Sequence, residues 1–394
     1  MTNIAIPSSV TSIGNNAFLF CISLHSLVLP DGVTSIGHDA FQGCKSLSSL
    51  VIPDSVTSIG ERAFVGCISL KSLVFPDGVT SIGNGAFWGC SSLTDIVILD
   101  SVTSIGNRAF NECDSLRSLV IPDSVTSIGD WAFSDCSSLR SAVLPDGVTS
   151  IGDGAFRSCS SLSRLVIPNG VTCIGDCAFC DCSSLKSLVL PDSVVNLKGN
   201  PFCRWNGELK CLSPYFIYDN KVLFDKDKSK IISFRDKDTT SYIIPDYVTS
   251  IGNRAFNECD SLRSLVIPDS VTSIGDWAFS DCSSLRSVVI SDGVTSIGDW
   301  AFSDCSSLRS VVLPDGVTSI ENSAFSGCKS LTDIVIPDSV TSIGDYAFYG
   351  CKSLRILVLS DGVISIGYMA LWGCYLPNTL RQKLSSRFGE KIFW

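Results

Sequence analysis

The sequence predicts a solenoid of the α/β type, with a parallel β-sheet on one side of the coil and short helical turns on the other. Two observations predict it. The pair Ala-Phe recurs every 23 residues from Phe18 to Phe179 and again from Phe256 to Phe348. Between these pairs, leucines and isoleucines keep fixed positions, so each period repeats one structural unit. A single unit of this size cannot bury its own apolar face, and neighbouring units must therefore stack.

The strand of each unit is predicted from alternation. Residues 116–138 read LRSLVIPDSVTSIGDWAFSDCSS and represent the repeat. Leu119 and Ile121 are separated by one residue, as are Ser118 and Val120, and successive side chains of a strand point to opposite sides. We expect the first pair to point into the coil and the second pair to point outward.

The rest of the unit is predicted to be turns. Pro122-Asp123 is typical of a turn, because proline fixes φ and aspartate can bond to the backbone nearby. Gly129 is expected to supply a positive φ at the next corner. Asp130 is expected to cap a single helical turn, from which Ala132 and Phe133 face the core.

The pattern LxxLxLPxxVxxIGxxAFxxC resembles the 23-residue leucine-rich repeat of BspA-like surface proteins. The resemblance covers most of residues 2–374. It implies a right-handed leucine-rich solenoid whose parallel sheet is concave. It also implies a surface adhesin or antigen that binds a protein ligand, although a shared scaffold does not identify that ligand.

The order of repeats predicts four segments of one continuous solenoid. They are an N-terminal array (1–195), a degenerate repeat with a β-hairpin insert (196–244), a second array (245–374) and a capping helix (375–394). Alternation over 216–234 predicts the hairpins, which form either a charged, solvated edge or part of a binding surface. Leu376, Leu380, Leu384 and Phe388 share one helix face, with Asn378 as N-cap and Gly389 as stop. No comparable cap precedes Ile4, so upstream residues or self-association through the first coil would cover it.

Composition narrows the class of function. Hydrophobic residues make up 45% and charged residues 17% of 394 residues, and the net charge is −10. This composition excludes a disordered chain and disfavours a nucleic-acid partner, and no apolar run is long enough to span a membrane. No signal peptide is visible, so a cytoplasmic location is the alternative to the cell surface. With two histidines and no catalytic motif, we expect neither enzyme activity nor a cofactor or metal.

The nineteen cysteines fall into two groups. Most occupy one position of the repeat and are expected to form a ladder of buried, inert thiols. Cys180 and Cys203 lie off this ladder and are one period apart, so in a stacked outward column they could form a disulfide. Free thiols are the alternative, and a zinc site that uses Cys177 and Cys180 is a weaker one.

Three outward columns of the second array are candidates for protein binding. They are an apolar column (Val266, Val289 and Val312), a basic column (Arg263, Arg286 and Arg309) and the exposed pair Trp277 and Trp300. Exposed apolar stripes and tryptophans often mark interfaces, but valine also simply favours strands. An aspartate column after the proline is expected to serve turns, with arginine pairing or calcium as alternatives.

These observations predict a non-enzymatic protein-binding or adhesion module. An intracellular interaction scaffold is the alternative.

Overall fold

Each 23-residue period forms one coil with two short strands, and these strands pair in parallel with the equivalent strands of neighbouring coils in most, though not all, steps of the stack. The structure, a computed structural model, describes residues 3–394. The chain divides into two units, Met1–Tyr215 and Phe216–Trp394. Each unit is a parallel β-solenoid, as the repeat predicted.

The first strand of each coil belongs to what we call the valine sheet. Its inward residue is buried and its flanking serine and valine face outward, as in Ser118–Val120. In the first unit its strands form separate groups of two or three, at Asn3–Ala5, Ser26–Val28, Ser49–Val51, Ser72–Val74, Asp95–Val97, Ser118–Val120, Ser141–Val143, Arg164–Leu165, Ser187–Leu190 and Glu208–Cys211. In the second unit they form one six-stranded sheet, at Ser241–Ile243, Ser264–Ile267, Ser287–Ile290, Ser310–Val312, Asp333–Val335 and Ile356–Val358.

The second strand of each coil belongs to the isoleucine sheet, in which an inward isoleucine follows an outward serine. Nine parallel strands form it in the first unit, at Ser12–Ile13, Ser35–Ile36, Ser58–Ile59, Ser81–Ile82, Ser104–Ile105, Ser127–Ile128, Ser150–Ile151, Cys173–Ile174 and Asn196–Leu197. The second unit continues the pattern at Ser250–Ile251, Ser273–Ile274, Ser296–Ile297, Ser319–Ile320, Ser342–Ile343 and Ser365–Ile366.

The short helical turn predicted on the third side of the coil is only partly confirmed, because the segment forms turns but no helix. The segment after Gly129 consists of consecutive turns, in which Trp131 (φ 52°) and Asp135 (φ 60°) adopt the left-handed conformation. The N–H groups of Trp131 and Phe133 donate to the next coil at 2.7 and 2.9 Å, whereas the intervening Ala132 N–H bonds within its own coil. Alternate N–H groups of this segment therefore bind one coil to the next, whereas the donors of a regular helix all point along its own axis.

Gly129 and Asp130 have other roles than those predicted. Gly129 has no positive φ; a Cβ there would lie 2.6 Å from the backbone of Gly106 and Asn107 in the preceding coil. Asp130 caps nothing. Its Oδ1 accepts the N–H of Asp153 one coil later at 2.8 Å, and its own N–H donates to Asn107 Oδ1 at 2.8 Å. Asparagine and aspartate side chains thus form a hydrogen-bonded ladder along the stack, which we call the Asx ladder.

Stacked phenylalanines form the centre of each unit. Rings of successive coils lie nearly parallel, with centroids 5.1 Å apart for Phe41 and Phe64 and 5.1 Å apart for Phe279 and Phe302. Phe202 continues the column, with its ring centroid 6.1 Å from that of Phe179, so the degenerate repeat keeps register as predicted. Every additional coil buries another leucine, valine and isoleucine around this column, which is the principal stabilisation of a repeat fold.

The predicted hairpins are confirmed. Strands Phe216–Asp219, Val222–Asp225 and Lys230–Phe234 pair antiparallel in that order. Lys230–Phe234 then pairs in parallel with Ser250–Ile251, and the Phe234 ring stacks on Phe256 at 4.7 Å. The insert is therefore the first layer of the second unit's core, because Val222, Phe224 and Ile231 are buried against it.

The last coil is covered by helix α1 (Asn378–Phe388) and a 3-10 turn (Glu390–Ile392). Leu384 is buried, Leu380 and Phe388 pack against the core, and the helix ends at Gly389, as predicted. Asn378 is not the N-cap: Pro377 holds that position, and no side chain caps the helix. Within residues 3–394, no helix has the length and apolar character needed to cross a bilayer.

The close approach of backbone at Gly129 predicts that alanine lowers the stability of the protein there, but not at a glycine with open space around it. Gly129→Ala should destabilise the protein by about 1–3 kcal/mol or more, because the new methyl group overlaps backbone that cannot move independently. The control is Gly14→Ala in the first coil, where a Cβ would meet no atom within 4 Å. Thermal unfolding should show a lower Tm for the first variant and an unchanged or slightly higher Tm for the second. Equal shifts would contradict the close-packing role.

The Asx ladder predicts a difference between two substitutions of Asp276, whose Oδ1 accepts the N–H of Asp299 at 3.0 Å. Asp276→Ala removes the acceptor and should cost about 1 kcal/mol. Asp276→Asn retains an acceptor and should unfold near the wild-type midpoint. The measurement is chemical denaturation of all three proteins, and loss of stability in both variants alike would exclude the ladder as the cause.

Candidate functional site

The main candidate surface is the outward side of the second unit's valine sheet, which we call the valine face. Val266 pairs with Val289, and Val289 pairs with Val312, in parallel register. Val289 and Val312 are 55% and 74% exposed, whereas Val266 is half-buried. The neighbouring residues Leu265, Val288 and Val311 are buried, so alternation along each strand fixes the outward direction of the three valines.

The two edges of the valine face carry opposite charges. Arg263, Arg286 and Arg309 are exposed and precede the strands, and their backbones bond to one another at 2.9 and 3.2 Å. The strands are followed at the opposite edge by exposed carboxylates, those of Asp269, Asp292, Asp315, Asp338 and Asp361. Because parallel strands all begin at one edge of a sheet, the face is basic along one side and acidic along the other.

The aspartate column does not close its own turns with side chains. Each turn is closed by the backbone, as when the N–H of Val271 donates to the Pro268 carbonyl at 3.1 Å. Among the described residues, the cluster with metal-ligand spacing consists of cysteines, not of these carboxylates.

A surface groove extends the valine face over the later coils and was missed by sequence reasoning. Val335 and Val358 line it together with three carboxylates, Asp315, Asp338 and Asp361. The repeat positions were visible in the sequence. The groove was not, since its depth depends on how far each corner projects beyond the sheet.

Trp277 and Trp300 lie on the turn side of their coils, not on the valine sheet. Their rings stack with centroids 6.4 Å apart, and the Arg254 guanidinium lies 4.2 Å from the Trp277 ring centroid. Trp300 is 39% exposed, but Trp277 is half-buried. The prediction that both are exposed is therefore wrong for Trp277, because its ring is covered by these neighbours.

Cys180 and Cys203 are joined by a disulfide, with Cα atoms 5.2 Å apart. The column they share does not face outward at these coils, as the sequence argument assumed, because both residues are buried. The half-buried Cys177 places its Sγ 3.3 Å from Cys203 Sγ. The structure thus brings three of the off-ladder cysteines together.

The cysteine ladder is buried except for the half-buried Cys21, and its thiols have a hydrogen-bonding role that the sequence did not indicate. Twelve of the fourteen ladder thiols donate to the phenylalanine carbonyl of the preceding coil, as Cys136 Sγ does to Phe110 O at 3.3 Å. Burial raises the pKa of Cys90 and of Cys182 to about 12. These thiols are consequently protonated at neutral pH and unreactive.

Comparisons with known proteins place these features in context. A family model for the BspA type leucine rich repeat region, in six copies, matches residues 1–117, 80–208, 230–334 and 318–394. Among solved structures, a leucine rich cell surface protein from Faecalibacterium prausnitzii is 36% identical, with a TM-score of 0.64, over 85% of this chain and 88% of that one. A leucine-rich repeat protein from Eubacterium ventriosum is 26% identical, with a TM-score of 0.62, over 73% and 84% of the two chains. The pneumococcal vaccine antigen PcpA shares the fold at 20% identity and a TM-score of 0.54, over 92% and 86%. No curated protein matches the sequence.

The raised thiol pKa values predict selective alkylation. At pH 8, a maleimide should label the half-buried Cys173 of the folded protein while leaving Cys90 and Cys136 unmodified, because both buried thiols hold their protons. Peptide mapping by mass spectrometry measures the labelling, and the urea-unfolded protein, in which all thiols should react, is the control. Labelling of Cys90 at the rate of Cys173 in the folded protein would contradict the buried ladder.

Proposed function

This chain belongs to the family of proteins with the BspA type leucine rich repeat region, and from this premise we propose that it is a non-enzymatic protein-binding module of a cell surface. Its partner is bound on the valine face of the second unit. A sheet with one face in water normally presents polar residues on that face, whereas here the central outward column of the six-stranded sheet is Ile243 on the first strand and valine on the other five. That exposed apolar column is the observation that carries the proposal.

The charges at the two edges of the valine face indicate which charged groups a partner carries. Arg263, Arg286 and Arg309 favour acidic groups along one edge, and the aspartate column favours basic groups along the other. A partner that fits presents apolar side chains between an acidic and a basic border. Such charges contribute mainly to association rate and orientation, while the apolar contact contributes most of the affinity.

A surface location is supported by two observations. The F. prausnitzii relative is described as a cell surface protein, and disulfides such as Cys180–Cys203 persist mainly in oxidising compartments. An adhesin or surface antigen would use the valine face against a protein outside the cell. An intracellular scaffold would use the same face against cytosolic proteins, and the source of the partner distinguishes the two.

The test is capture of partners from separate extracellular and cytosolic protein pools. The triple variant Val266→Glu, Val289→Glu, Val312→Glu should lose about tenfold or more of the captured partner, because carboxylates replace the apolar centre of the interface. The matched control adds the same three charges just before the strands of the isoleucine sheet, by Thr272→Glu, Thr295→Glu and Thr318→Glu, at exposed positions of the same coils.

Circular dichroism and thermal unfolding must first show that both triple variants fold. Loss of capture in the valine variant alone supports the valine face. Equal capture by both would contradict it and favour either the Trp277–Trp300 pair or the 216–244 insert. Equal loss in both would show that added negative charge, not the valine face, is responsible.

A further inference from the structure

Three sulfur atoms converge in the first unit at a place that the proposed function does not use. The Sγ atoms of Cys177, Cys180 and Cys203 all lie within 4.8 Å of one another. Cys180 and Cys203 form the disulfide, and Cys177 Sγ is 3.3 Å from Cys203 Sγ. A third sulfur in contact with a disulfide can attack it once its side chain rotates into line with the S–S bond.

The backbone holds the three cysteines in this arrangement. The N–H groups of Cys177 and Cys203 both donate to the Asn200 carbonyl, at 3.2 and 3.4 Å, and the Cys180 N–H donates to the Cys177 carbonyl at 3.1 Å. Cys177 itself has a φ of 56°. Two neighbouring coils therefore fix the spacing, and no rearrangement of the chain is needed to bring the third sulfur near the bond.

The three cysteines differ in accessibility. Cys180 and Cys203 are 1% and 4% exposed, whereas Cys177 is half-buried. A thiol in solution cannot readily reach the disulfide, but it can reach Cys177. The most exposed of the three residues is thus also the one whose Sγ contacts the disulfide.

We propose that Cys177, Cys180 and Cys203 form a thiol–disulfide exchange site, through which small thiols in solution reduce the buried disulfide. Cys177 gives its proton to water and, as thiolate, forms a bond with Cys203 Sγ. The Cys203–Cys180 bond breaks, and Cys180 leaves as a thiolate that takes up a proton. This first step is an isomerisation without net oxidation.

An external thiol completes the reaction. A glutathione thiolate bonds to Cys177 Sγ, which releases Cys203 as a thiolate, and a second glutathione then displaces Cys177. The products are three protein thiols and one glutathione disulfide, so two electrons have moved from glutathione to the protein. The proposal is independent of the partner and of the valine face.

The kinetic test compares wild type with Cys177→Ser and with the control Cys173→Ser, which removes a half-buried cysteine outside the cluster. Oxidised proteins are incubated with glutathione at pH 8, quenched with N-ethylmaleimide and mapped by mass spectrometry. Reduction of Cys180–Cys203 should be about tenfold slower or more in Cys177→Ser, because direct attack on the buried bond is hindered. The control should match wild type, and equal rates in all three proteins would overturn the proposal.

A second variant keeps the test independent of rates. Cys180→Ser should contain a disulfide between Cys177 and Cys203, recognised by fragmentation of the linked peptides and by a gain of about two daltons on reduction. Absence of this bond in folded Cys180→Ser overturns the proposal. It is also overturned if the native protein carries one equivalent of zinc that is released when the three thiols are alkylated, since the cluster would then be a metal site.

Discussion

The stacking of one coil on the next at a fixed 23-residue register is the interaction on which the rest of this structure depends. Alternate N–H groups of each turn segment donate to the next coil, and the Asx ladder adds a bond at the corner. Glycines such as Gly129 allow the backbones to approach closely. Without this contact, a coil would expose its leucines, isoleucines and phenylalanine to water. The buried core therefore forms only when neighbouring coils stack.

The same register creates the surfaces. A residue type that repeats every 23 positions becomes a continuous column, so a single valine per coil becomes an apolar stripe and single charges become a basic and an acidic edge. The inward columns obey the same rule and produce the phenylalanine stack and the buried thiol ladder. Cys177, Cys180 and Cys203 form a site for the same geometric reason, because stacking brings residues from two coils into contact.

Predictions from the sequence were correct where the spacing of apolar residues specifies which side of an element is buried. Alternation determined which side of Ser118–Val120 is buried, and four apolar residues at helical spacing located helix α1. It failed where two physical causes select the same residue. A positive φ and a close backbone approach both require glycine, so Gly129 was misassigned; a helix cap and an inter-coil acceptor both suit aspartate, so Asp130 was too. The burial of Cys180 and Cys203 was misjudged because their column holds different residue types in the other coils, such as Leu19, Gln42 and Arg157, and so has no consistent inward or outward pattern.

Deletion of residues from one coil tests the register most directly. Removal of residues 287–309 joins Arg286 to Ser310 and takes out one full period, as the parallel pairing of Ser287 with Ser310 requires. We expect this protein to fold and to unfold cooperatively. Removal of residues 287–310 leaves the coil one residue short and turns the inward Val311 outward, so it should disrupt cooperative unfolding. Equal stability of the two deletion proteins, compared by thermal unfolding, would contradict the account.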